Sequence, residues 1–389
     1  MEVGELWWMI EIAALIALAR MAEVIFSKAG MPKVMGYVLV GMALPFMNYE
    51  LTEITSSLAI LGIVVYLFYL GLEGSLRGFI RGLRDAGLIA LGGVVSSIAL
   101  PVVTLMPFGI GLKETFALGV ALSATSVTLT LKTLGDMGYE GSRVGQAITG
   151  AAVVDDVLGL ALLSTVYSLE AREFPAMTLI EIVAGAFGLW LAVSYSIERL
   201  GKSMIKLALK TPAEEPLLSV VFIVLLVLSY IAAQLQLSAI LLAYAVGLGF
   251  SRYRYEARYV SNRMLTLIAL FTPLFFIKAG SLVDIRMVFN ALTPSLLTVL
   301  LTVVTIGILS KIIGCTLTAL ALGFSKAEAL LVGVGMSPRA EVMLTAALAG
   351  RELGLLSDEI YLGLLLLVPL TSIIVPPLMG AILRRVRPR

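Results

Sequence analysis

Long apolar runs alternate with short charged connections from one end of the chain to the other. Thirteen runs read as helices: residues 6–26, 34–47, 54–72, 86–107, 114–135, 144–169, 176–197, 216–234, 238–250, 264–283, 291–322, 327–349 and 360–383. A run of roughly 17–25 apolar residues is long enough to cross the hydrocarbon core of a bilayer as a helix. The second and ninth runs are short, and the eleventh is long enough to hold a loop or a tilt. None alternates apolar and polar residues with a period of two, as barrel strands do. The pattern predicts an all-α polytopic membrane protein with about 13 transmembrane helices.

Charge sits in the connections, and unevenly. The odd-numbered connections plus the C-terminus hold 20 lysines and arginines, while the other side holds 4, namely Lys113, Arg172, Arg286 and Arg351. Adding or removing one span scrambles this asymmetry. Basic residues favour the cytoplasmic side, so the N-terminus is expected outside and the C-terminus inside, in the plasma membrane of a cell. The first run carries Glu11, Arg20 and Glu23 and lacks a basic leader, so no cleavable signal is expected.

Composition agrees with this reading. Hydrophobic residues make up 59% of the 389 and charged residues 14%, with a mean hydropathy of +1.02. A soluble protein of this size needs more polar surface. A single cysteine, Cys315, excludes an intrachain disulfide. The chain has no histidine, so proton chemistry has to run on carboxylates and lysine.

Two stretches repeat. KETFALGVALSATSVTLTL (113–131) resembles KAEALLVGVGMSPRAEVML (326–344), with Gly119, Val120 and Ser123 matching Gly333, Val334 and Ser337 at a constant offset of 214. LFYLGLEGSL (67–76) resembles LFFIKAGSLV (274–283). Each pair of copies is seven spans apart, so the copies run in opposite directions, as in the inverted repeats of secondary transporters. Span 5 carries Ser123, Thr125, Ser126, Thr128 and Thr130, and span 12 carries Ser337, Pro338, Arg339 and Glu341. Proline removes a helical donor and hydroxyls re-satisfy freed backbone groups, so both spans are expected to be discontinuous.

Asp155 and Asp156 lie inside VGQAITGAAVVDDVLGLALLSTVYSL, and Lys311 lies inside LTVVTIGILSKIIGCTLTAL. A charge at mid-bilayer costs at least about 2.5–3.5 kcal/mol, which points to function. Neighbours on a helix diverge by about 100°, so one aspartate can pair with the lysine while the other faces a permeant ion. Two carboxylates and one ammonium leave the site one charge negative, and a sodium ion or a proton brings it toward neutrality. A buried unpaired carboxylate favours its neutral form. Proton and sodium then compete for one group, which with alternating access suffices for antiport. The plainer alternative is a structural ion pair. Lys278 is expected to snorkel to a membrane edge and Glu73 to be interfacial. Arg339 and Glu341 stay open between structural and ion-path roles.

These residues identify a family resemblance. SATSV (123–127), VVDDVLG (153–159), ILSKIIG (308–314) and MSPRAEVML (336–344), with PKVMGYVLVGMALP (32–45) and YLFYLGLEGSL (66–76), resemble the paired-aspartate branch of the monovalent cation:proton antiporters, the NapA-type sodium/proton antiporters. The resemblance covers nearly the whole chain in order. It implies an inverted-repeat antiporter fold with two crossing discontinuous helices, a dimerisation panel at approximately 1–85 and 216–290, a core ion-transport bundle at approximately 86–170 and 291–389, and a linker helix at approximately 176–199. It implies a homodimer, membrane lipids and small cations as partners, no nucleic acid and no cofactor. It also implies that Asp156 binds Na+ (or Li+) with Thr125, that Asp155 pairs with Lys311, that Ser126, Arg339 and Glu341 support the site, and that exchange is electrogenic. In two respects the chain departs from relatives. Ala340 stands where many have glycine, and the chain stops shortly after the last span, so a cytoplasmic nucleotide-binding domain is not expected. The alternatives are a K+/H+ antiporter on the same fold, a sodium-coupled organic-anion symporter, and an intramembrane aspartyl protease. The protease would need two facing aspartates from different helices.

Overall fold

The computed structural model describes residues 6–29, 33–139, 141–171, 176–234, 239–282, 286 and 294–386. Among these residues the regular structure is helical. The helices are α1 (Trp7–Lys28), α2 (Lys33–Ala43), α3 (Glu53–Glu73), α4 (Leu76–Leu105), α5 (Leu112–Ser123), α6 (Val127–Asp136), α7 (Arg143–Ala171), α8 (Ala176–Lys210), α9 (Pro216–Gln234), α10 (Ala239–Phe250), α11 (Arg254–Ser281), α12 (Pro294–Ala321), α13 (Lys326–Gly335), α14 (Glu341–Glu352) and α15 (Asp358–Val386). Seven helical stretches of the described residues are long and apolar enough to cross a membrane.

The helix order follows the apolar runs, but several helices outrun them. Helix α4 begins at Leu76 rather than at 86, α8 ends at Lys210 rather than at 197, and α11 begins at Arg254 rather than at 264. A backbone ladder does not stop where hydrophobicity stops. Arg, Lys, Leu and Glu are good helix formers, so these helices continue through their charged ends. The eleventh run forms one uninterrupted helix over Pro294–Ala321.

The chain divides into two compact units. The first comprises Met1–Ala17, Leu51–Arg81 and Ala184–Phe276. Its centre is the packing of α3 on α10, where backbones touch. A Cβ on Gly71 would lie 2.4 Å from the Tyr244 carbonyl oxygen, and one on Gly247 would lie 2.2 Å from that of Phe68. Only glycine permits this approach. Buried Glu11 ties α1 to the start of α3: it accepts from the Thr52 backbone N–H at 3.0 Å and from the hydroxyls of Thr52 and Thr55. The Thr52 hydroxyl in turn accepts from the Thr55 N–H and caps α3.

The second unit comprises Leu18–Glu50, Gly82–Val183 and Ile277–Arg389. Its apolar core includes Leu118 and Leu122 of α5, Val303 and Ile306 of α12, Met343 and Ala347 of α14, and Leu364 and Leu367 of α15. Helices α4 and α12 meet along small residues. A Cβ on Gly314 would fall 2.2 Å from the Gly92 carbonyl oxygen, and the Ser96 hydroxyl donates to the Ser310 carbonyl at 2.5 Å. These two serines stand 214 residues apart, the same offset that relates the repeated segments. At the start of α13, Ser325 and Glu328 form a reciprocal capping box.

Candidate functional site

The site grows from two interruptions in the second unit. Between α5 and α6 the backbone is extended at Ala124 (φ −70°, ψ 137°) and Ser126 (φ −80°, ψ 97°). Between α13 and α14 residues 336–340 leave the helix. Pro338 lacks an N–H and disfavours helical backbone at the residue before it, which accounts for the second break. Hydroxyls flank both breaks. Ser123 Oγ donates to the Val120 carbonyl and Ser337 Oγ to the Val334 carbonyl, each at 2.7 Å.

Backbone groups freed by one break are satisfied by the other. The Ser126 N–H donates to the Pro338 carbonyl at 2.8 Å. Thr125 Oγ1 donates to the Met336 carbonyl at 3.0 Å, and Thr130 Oγ1 to the Gly335 carbonyl at 2.5 Å. Thr125 and Ser126 are buried, and Ser126 Oγ lies 3.3 Å from Thr128 Oγ1. The two discontinuous helices thus cross, with polar backbone concentrated where bilayer depth would otherwise forbid it.

Arg339 closes the crossing. Its guanidinium is fully buried, with Nη1 donating to the Ala124 carbonyl at 2.9 Å and Nη2 to the Gly307 carbonyl at 3.0 Å. Its own N–H donates to Thr371 Oγ1 at 3.1 Å. The Ala124 carbonyl belongs to the C-terminal end of a half-helix, where a positive charge is favoured. Among the described residues Arg339 Nε has no hydrogen-bond partner. Sequence reasoning raised Arg339 but not its acceptors. A backbone carbonyl at Gly307 carries no sequence signal, and Thr371 gives only that of a hydroxyl in an apolar run.

Asp155, midway along α7, accepts from Lys311 of α12, with Oδ1 2.5 Å from Nζ. Their side chains are 1% and 0% exposed. Among the described residues Asp155 Oδ2 has no partner. Asp156 follows on the same helix, but its side chain, like that of Glu341, lies outside the described residues. Arg339 is a second buried cation in the same unit as Lys311. Outside this cluster, Glu73 accepts from Ser261 Oγ at 2.8 Å, and Lys278 is only half-buried.

Chemically, the unit presents a buried ion pair and a knot of oriented backbone dipoles. Comparisons with known proteins give the family. The profile of the family described as "Sodium/hydrogen exchanger, transmembrane" matches residues 12–384. The high-affinity Na+/H+ antiporter NhaS3 of Synechocystis sp. is 33% identical over 334 residues, covering 85% of this chain and 72% of that protein. The Na+/H+-K+ antiporter GerN of Bacillus cereus is 26% identical over 376 residues, covering 95% and 94%. The solved structure of the sodium proton antiporter MjNhaP1 from Methanocaldococcus jannaschii superposes with a TM-score of 0.67 at 16% identity, covering 97% of this chain and 96% of that one, and shows the same fold. The family match over residues 12–384 and the identity to curated antiporters remove the protease alternative. On the extent of the profile match and the identity to its curated relatives, the chain belongs to the sodium/hydrogen exchanger family of multi-pass membrane antiporters.

Proposed function

We propose that the protein exchanges Na+ (or Li+) for H+ by alternating access, with Asp156 as the carboxylate that binds either ion. The observation that carries this reading is the buried Lys311–Asp155 pair, in the same compact unit as two crossed, broken helices. Because Lys311 occupies Asp155, Asp156 is the aspartate left to titrate and to bind. Thr125 lies at the crossing with its hydroxyl hydrogen given to Met336; its oxygen lone pairs suit a hard cation such as sodium. Sodium binds when Asp156 is deprotonated, the core shifts relative to the panel, and protons displace the ion on the other side. Lys311 releases a proton when it parts from Asp155, which makes exchange electrogenic. Ser126, Arg339 and Glu341 support the site without being transported groups, and no cofactor takes part.

The membrane placement belongs to the same proposal: plasma membrane, N-terminus outside, C-terminus cytoplasmic, two copies joined through the panel. The orientation is supported by the side-to-side imbalance of basic residues. A potassium/proton exchanger is the second reading, favoured by the name of the Bacillus cereus relative GerN.

The test is cation-driven proton flux in proteoliposomes with an imposed pH gradient, comparing sodium, lithium and potassium with and without a voltage clamp. Sodium and lithium responses that change with voltage are expected, and Asp156→Asn abolishes them. Full exchange by Asp156→Asn refutes the assignment. A response to potassium alone moves the protein to the second reading.

A further inference from the structure

We propose that Gly93 of α4 is a positioning residue for Lys311, its missing side chain being the space that the lysine stem occupies on the way to Asp155. This rests on the reading of Lys311 as a participant in exchange.

A Cβ built on Gly93 would lie 2.9 Å from Lys311 Cδ, 3.1 Å from Lys311 Nζ and 2.7 Å from Cys315 Sγ. None of these is an ordinary contact. Glycine inside a helix is otherwise a poor choice, and Gly92 and Gly93 are adjacent inside α4. The neighbouring helix cannot simply move away. The Ser96 hydroxyl is bonded to the Ser310 carbonyl at 2.5 Å, one residue before the lysine. One turn after it, Cys315 Sγ donates to the Ile89 carbonyl at 3.5 Å. Gly314 has no room for a Cβ either, since Ser96 Oγ would be 2.1 Å away. With α4 and α12 fixed at backbone contact, a methyl group at position 93 has to displace the lysine stem. To restore an ordinary separation Cδ moves by roughly half an ångström, on a side chain whose Nζ is tethered to Asp155.

Gly93 therefore sets how the ammonium reaches the carboxylate, without touching the transported ions. Displacing the ammonium from that carboxylate should change the pH–activity profile of exchange.

The experiment works in a Cys315→Ala background, which removes the thiol contact and isolates the lysine contact. Cys315→Ala alone is expected to exchange with the wild-type pH profile. Gly93→Ala/Cys315→Ala is expected to shift that profile by roughly one pH unit and to lower thermal stability. Adding Lys311→Ala to Gly93→Ala/Cys315→Ala removes the clash. The triple variant should then be as stable as Lys311→Ala/Cys315→Ala, even if Gly93→Ala/Cys315→Ala fails to fold. An unmoved pH profile in Gly93→Ala/Cys315→Ala overturns the proposal. So does an equal stability loss from Gly93→Ala with and without Lys311, because a purely structural seam predicts that result. Absence of sodium-driven flux in the wild-type protein would instead refute the exchange reading, and the stability comparison would still decide the contact.

Discussion

Replacing Lys311 by Met keeps most of the side-chain volume and removes the ammonium. Asp155 is 1% exposed, so its carboxylate would be left buried without its cation. Breaking a buried pair from one side costs about 3–5 kcal/mol. Relative to wild type, Lys311→Met should therefore lose about 3–5 kcal/mol. Asp155→Asn/Lys311→Met buries no charge at this pair and should recover most of the loss. The assay is denaturant unfolding in mixed micelles, run as a double-mutant cycle. Additive single and double variants would refute the claim that the two charges balance each other in the folded protein.

Arg339→Leu leaves the Ala124 and Gly307 carbonyls without their donors, at about 1–3 kcal/mol each. Thermal unfolding should register the loss, and Arg339→Lys should not restore it, since one ammonium does not reproduce a planar fork on two acceptors. Gly71→Ala drives a methyl group against the Tyr244 carbonyl. It should cost about 1–3 kcal/mol, seen as a reduced monodisperse fraction on gel filtration in detergent. In the connection before α9, Glu215 accepts from Tyr259 and Arg263. The Tyr259 hydrogen bond first, and Arg263 second, hold its carboxyl below the usual range. This tie is present at neutral pH and is lost only as acid takes the group through that lowered range. Protease cleavage within residues 211–215 should accelerate there, and Glu215→Gln should show the faster rate at neutral pH.

How much was legible depended on what kind of signal each feature leaves. The order of the helices was readable because a run of apolar residues has a length, and length is what a bilayer demands. Their ends were not, because residues 76–85 and 198–210 are charged yet helical. The two breaks were readable from Pro338 and from the hydroxyls around Thr125. The pairing of Lys311 with Asp155 was not given by helix geometry, which allows either aspartate; the family resemblance named it. Nothing in the sequence disclosed that Arg339 holds carbonyls of two different helices, or that Gly92 and Gly93 seat against α12. Backbone acceptors and missing side chains show themselves only once the chain is packed.

The crossing also sets a schedule for biosynthesis. Thr125 and its acceptor at Met336 are 211 residues apart, so at about 5–20 residues per second the second break leaves the ribosome about 10–40 s after the first. Through that interval the groups around Ala124–Ser126 lack the partners they have in the finished protein. Exposed to lipid, each would cost several kcal/mol. The early half-helices therefore meet the partners of their first break only once the segment between α13 and α14 has been made. A chain that ends just before residue 336 has made α1–α13, yet holds an unfinished second unit whose first break still lacks its partners.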